Sequence, residues 1–263
     1  IGSAEHLRNP SQVNIQKYFQ TYYVPNNMAI VLAGDFNPDE AVAWAEQYFG
    51  NYAARPLPEL HFDPLPPRNG STELEVFGQE SPYVFIAWRF GSSQTDDLLY
   101  LTLLRHLLFN GKAGILDLEL NQQQKVLEAE AMAWFYADHS LFALFGRPRE
   151  GQSLEQVKDI LLGEIKRLQQ GDFPDWLLEA CIRDFKLGDI KASESNSSRV
   201  GDITQSFILD FGWGRYCQRD EWMEAITKAD VQRFAQERLK NDFVTVYKRH
   251  GEDPNVLKVE KPP

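Results

Sequence analysis

Helical spacing and strand-like runs divide the chain into readable blocks. After Ser11, a favourable helix N-cap, apolar and aromatic residues fall at Val13, Ile15, Tyr18, Phe19 and Tyr22, the spacing of one helix face. Pro25-Asn26-Asn27 is a turn signal, and Met28 to Ala33 is an apolar run short enough to be a buried strand. Asn37-Pro38 opens another helix, with Pro in its first turn, that runs to about Gly50. Residues 53–68 hold five prolines (Pro56, Pro58, Pro64, Pro66 and Pro67), which predicts an extended linker and a domain boundary.

Beyond the linker, Thr72 to Phe77 and Tyr83 to Phe90 predict two strands, the second rich in aromatic and β-branched residues. Asp96 to Leu108 returns to helical spacing. The loop Asn110-Gly111-Lys112-Ala113-Gly114 leads into a short helix with Leu116 and Leu120 on one face. Val126 to Ala137 and Leu141 to Arg147 predict a strand pair joined through Asp138-His139-Ser140. Helices follow over 153–169, 174–191, 195–210 and 227–239, with Asp210 to Tyr216 as an aromatic packing corner. A last strand spans Phe243 to Lys248.

An internal repeat changes the picture. Ser11, Asn14, Ile15, Gln16, Lys17, Tyr18 and Gln20 match Thr227, Asp230, Val231, Gln232, Arg233, Phe234 and Gln236 in physical type, at an offset of 227 − 11 = 216 residues. In both places a helix is followed by a turn and an apolar strand, with a gap of about two residues before the second strand. A unit of about that length makes residues 1–52 the C-terminal part of a truncated first repeat. Residues 53–68 are then the Pro-rich linker, and 69–263 a complete second repeat. The larger part of the first repeat is expected upstream of Ile1.

Composition narrows the function classes. With 43% hydrophobic and 25% charged residues the chain reads as soluble and globular, and no apolar run approaches a membrane span. A net charge of −11 without a Lys/Arg cluster argues against nucleic acid. Cys181 and Cys217 lack metal-ligand spacing and leave the compartment open.

The segment Tyr22-Tyr-Val-Pro-Asn-Asn-Met-Ala-Ile-Val-Leu-Ala-Gly-Asp35, followed by Pro38 and a helix ending Tyr48-Phe49-Gly50, resembles the M16 peptidase family, the group of insulinase, pitrilysin and mitochondrial processing peptidase. Leu104 to Leu120 resembles the corresponding part of a second M16 repeat, and Val259 to Pro262 the junction before the next half of long members. The resemblance implies an α+β fold, a mainly antiparallel sheet backed by helices. Tandem units of that kind enclose a cavity for extended peptides. It also implies zinc, held by an inverted His-x-x-Glu-His motif on a helix, with a distant Glu as third ligand. Two His one turn apart grip the metal while the Glu between them takes a proton from the bound water.

That motif is absent here. The five histidines are His6, His61, His106, His139 and His250, and no two lie within four residues. His106 falls where an M16 unit would carry its zinc helix, but Phe109 and Asn110 stand where the motif's second half belongs. No catalytic or metal residue is therefore expected in this chain. The zinc and the catalytic repeat are expected upstream, as this chain's partner. The alternative is a catalytically dead relative acting as a scaffold or assembly subunit.

The resemblance offers one set of substrate-cavity candidates: Asn110, Gly111, Lys112 and Gly114, similar to the glycine-rich loop that non-catalytic M16 subunits present to peptide. An ordinary helix–helix turn explains those residues too. Tyr83–Phe90 could be an edge strand pairing with peptide main chain, although core packing suits it better. Glu128, Glu130 and Asp138 could line a cavity for basic peptides or be a solvated face. Arg147 and Arg149 could hold a carboxylate or form a surface turn. Residues 1–52, lacking the rest of their unit, are expected to pack on the second unit, to self-associate or to be poorly ordered.

Overall fold

The computed structural model describes residues 10–252 apart from 60 and 64. His6, Pro64 and the Val259–Pro262 junction lie outside the described residues. Helix α1 spans Gln12–Tyr22 and α2 Pro38–Phe49. Ser11 and Asn37 cap them, their side chains accepting from the backbone N–H of Asn14 and Asp39. Met28 to Ala33, expected as a buried strand, carries no regular structure and has no strand partner among the described residues. Met28, Ile30 and Leu32 are exposed, because the sheet such a run needs on either side is not supplied by the described residues. Residues 53–59 and 65–69 carry no regular structure, as their prolines dictate.

From residue 72 the chain builds a five-stranded sheet: β1 Thr72–Gly78, β2 Tyr83–Phe90, β3 Glu128–Phe135, β4 Ser140–Arg147 and β5 Val244–His250. The order is β1-β5-β2-β4-β3, antiparallel except for the β1–β5 pair. Tyr83–Phe90 is therefore central, paired on both sides, and offers no edge to a peptide. Its alternation buries Val84, Ile86, Trp88 and Phe90 on one face and leaves Tyr83, Phe85, Ala87 and Arg89 half-buried on the other. Trp88, fully enclosed, satisfies its indole N–H on the Lys240 carbonyl at 2.8 Å.

Seven helices follow on the first face, α3 Asp97–Leu108 and α4 Leu154–Gln170 packed on the sheet and α5 Asp175–Ser193, α6 Asn196–Ile208, α7 Trp213–Cys217, α8 Arg219–Ala225 and α9 Lys228–Arg238 packed mainly on other helices. Helix α4 lies close against the sheet because β4 presents Gly146, where a Cβ would meet Val157 Cγ1 at 2.6 Å. Leu116 and Leu120 are fully buried as expected, Leu116 just before and Leu120 within a π-helical turn, Asp117–Asn121. Asp210–Tyr216 packs aromatically as expected, with Trp213 stacked on Tyr216 at 5.0 Å, and leads into two short helices. Arg215 stacks there on Phe211 and Trp222 and pairs with Asp96 at 2.6 Å. Among the described residues no helix is long and apolar enough to cross a membrane.

Candidate functional site

The loop after α3 is built around one buried carboxylate. Asp117, on the π-helical turn, accepts the backbone N–H of Asn110, Gly111 and Gly114, each at 3.0 Å. The Asn110 side chain takes the N–H of Lys112 and Ala113 at 3.0 and 2.9 Å. Five consecutive amides thus converge inward, a geometry that binds anions, and the protein's own side chains fill it. Lys112 reaches out to Asp184 at 3.2 Å. Gly111 sits at φ +77, and Gly114 packs where a Cβ would meet the Leu108 carbonyl oxygen at 2.6 Å. Backbone geometry accounts for both glycines.

Sequence spacing gave no sign that His106, Asn110 and Cys181 would meet. The Asn110 amide nitrogen donates to the His106 carbonyl at 3.1 Å and approaches the Cys181 sulfur at 3.8 Å. The Cys181 thiol itself donates to the same carbonyl at 3.6 Å. This is not a nucleophilic dyad, because sulfur meets the backbone of His106 and burial pushes the thiol up to about 11. The imidazole packs edge-on against Phe185, with Nδ1 buried and unpartnered. Burial, then Arg105, lowers its pKa. Among the described residues no cluster of three His, Cys, Asp or Glu side chains could hold a metal. Zinc does not fit the donors around His106: the next positions of its motif are Phe109 and Asn110.

The sheet's helix-free face is the second notable surface. Register aligns Leu74, Val246, Phe85, Phe145 and Glu130 in one row across it. Phe85 lies 5.9 Å from Trp134, and Tyr83 5.2 Å from Phe145. Glu128 pairs with Arg147 at 3.3 Å. Burial, then its neighbour Glu128, raises the pKa of Glu130. At the outer edge of β3, the Asn121 side-chain amide exchanges two hydrogen bonds with Ala129, at 2.8 and 2.9 Å, imitating a paired strand. Asp138 is exposed in the β3–β4 turn, and Arg149 donates to the Gln124 carbonyl at 3.1 Å, with no ion pair to a carboxylate among the described residues.

Layering, strand order and this open face define an α+β unit of the peptidase type expected from the sequence. Residues 12–185 match the family model described as the Peptidase M16 inactive domain, and the chain belongs to the M16 family. It is 20% identical over 247 residues to the zinc protease PqqE of Helicobacter pylori, across 92% of this chain and 55% of that protein. The crystal structure of a protease from Helicobacter pylori superposes with a TM-score of 0.86 at 19% identity, covering 94% of this chain and 61% of that one. The M16 inactive domain from Pseudomonas fluorescens gives 0.78 at 16% identity, covering 96% and 60%. The chain thus spans little more than half the length of the relatives it matches.

Proposed function

We propose that this chain is the non-catalytic portion of an M16-type zinc metalloendopeptidase and helps to enclose the cavity that binds extended peptides. The helix-free sheet face carries this reading. Soluble proteins rarely expose contiguous apolar surface of this kind unless something binds it. Phe85, Phe145, Met132, Trp134 and Val246 are half-buried there and Leu74 is exposed, a surface suited to the side chains of an extended chain. Residues 1–52 belong, in this reading, to a first repeat whose bulk lies upstream with the zinc, and 69–263 to the second. Asn110, Gly111, Lys112 and Gly114 would contact peptide through Lys112 and the loop's shape, since the amides of that loop are already engaged.

Steady-state kinetics of the parent polypeptide test the proposal. Phe85→Ser and Trp134→Ser should each raise KM for an extended peptide about 10-fold while leaving zinc content and kcat unchanged. An unchanged KM in both variants overturns the reading. So does zinc-dependent cleavage by residues 1–263 alone.

A further inference from the structure

Helix α5 begins as a core helix and ends as a bare one. Its buried residues are Leu177, Leu178, Cys181 and Ile182, all in the first half; from Arg183 to Ser193 it buries none. Charge holds that second half instead. Lys186 pairs with Glu224 of α8, and Asp189 accepts from the Arg219 guanidinium at 2.8 Å. Away from these contacts runs a series stepped by four and three residues, the spacing of a helix–helix seam: Trp176, Ala180, Arg183, Leu187 and Ile190. Trp176, Leu187 and Ile190 are 54%, 47% and 60% exposed. A hollow of about 460 Å³ over Ala180 is bounded by Trp176, Glu179, Arg183, Asp184 and Leu187.

The charges on this face are self-complementary. Glu179 and Arg183 stand one turn apart and pair at 2.5 Å, yet their side chains are 65% and 77% exposed, so the pair adds little to the fold. A two-fold axis crossing α5 midway between them sets Glu179 of each copy against Arg183 of the other, the isologous pairing of two antiparallel helices. Trp176 lies three residues before Glu179, and Leu187 four after Arg183, so the same rotation brings indole and isobutyl together at both ends. Gly188 fits this arrangement. A Cβ built there meets nothing within 4 Å, so no contact inside the chain calls for glycine, and its bare backbone leaves room for an indole.

We infer that α5 is a self-association surface on which two copies of this chain pair antiparallel through Trp176, Ala180, Arg183 and Leu187. The hollow over Ala180 takes the aliphatic stem of Arg183 from the second copy, whose guanidinium meets Glu179. A helix of 19 residues is about 28 Å long. One helix a side makes an interface smaller than a stable dimer needs, so the association is weak, with a Kd on the order of 10–100 μM. This surface lies among the helices, apart from the helix-free sheet face, and the inference does not depend on peptide binding.

Sedimentation equilibrium of residues 1–263 tests it, in reductant so that the exposed Cys217 cannot link copies. The unaltered chain should pass from monomer toward dimer between about 10 μM and 1 mM. Glu179→Arg and Arg183→Glu each set like charges across the axis and should weaken the dimer about 10-fold or more. Combined, they should restore it, because the swap recreates both pairs. Trp176→Asp should abolish it. A chain that stays monomeric up to about 1 mM overturns the inference. So does a dimer indifferent to all three single substitutions, or a double charge variant no tighter than the single ones.

Discussion

At Gly114 an added Cβ would meet the Leu108 carbonyl oxygen at 2.6 Å and Phe109 Cα at 2.8 Å, backbone atoms that cannot swing aside. At Gly111 nothing stands within 4 Å, and only the left-handed φ of +77 opposes a side chain. Gly114→Ala should therefore cost about 1–3 kcal/mol through overpacking, and Gly111→Ala about 1 kcal/mol through backbone strain. Urea unfolding of the two variants checks the order. His106 makes a pH prediction. Burial lowers its pKa from an ordinary 6.5, so the native state resists the proton that the unfolded chain accepts. Its contribution is intact above pH 6.5 and is lost as the pH falls through the lowered folded value. His106→Gln should flatten the acid side of the stability profile below pH 6.5, as read by Tm across a pH series. A profile as steep as the parent's would refute the assignment.

Elements show where sequence reading succeeds and where it stops. Strands β2 and β4 and helix α4 were legible because each carries its own signal: a β-branched and aromatic run in β2, a short apolar run in β4, and Ser153 ahead of a helical pattern in α4. The π-helical turn at Asp117–Asn121 was not, because Leu116 and Leu120 keep helical spacing in either winding. Met28–Ala33 failed for another reason: its local signal is that of a strand, but a strand exists only when neighbours supply hydrogen bonds. The loop at 110–114 was legible as a loop, while the use of its amides by Asp117 was not. The meeting of Asn110 with Cys181 likewise depends on tertiary packing that no spacing of 71 residues announces. Caps allow a direct comparison between the two repeats. Thr227→Ala should cost about 1 kcal/mol of global stability, because α9 is part of the core. Ser11→Ala in residues 1–263 should leave the main unfolding transition in place, since α1 buries no residue. Equal effects would mean that α1 is docked after all.

For the whole molecule, the β1–β5 pair has a kinetic consequence. Thr72 lies beside Val244, so the first strand of the sheet waits for a partner 244 − 72 = 172 residues later. β5 also separates β1 from β2, which means that the strand synthesised last occupies an interior position. On the ribosome, β2, β3 and β4 can pair among themselves, with β4 between the other two, while β1 remains unpaired until His250 emerges. Refolding should be slow, on the scale of seconds or longer, with β1 and β5 gaining protection together in the final phase. Until that phase ends, Leu74 and Val76 stand on an unpaired strand, and this interval is when aggregation competes best with folding.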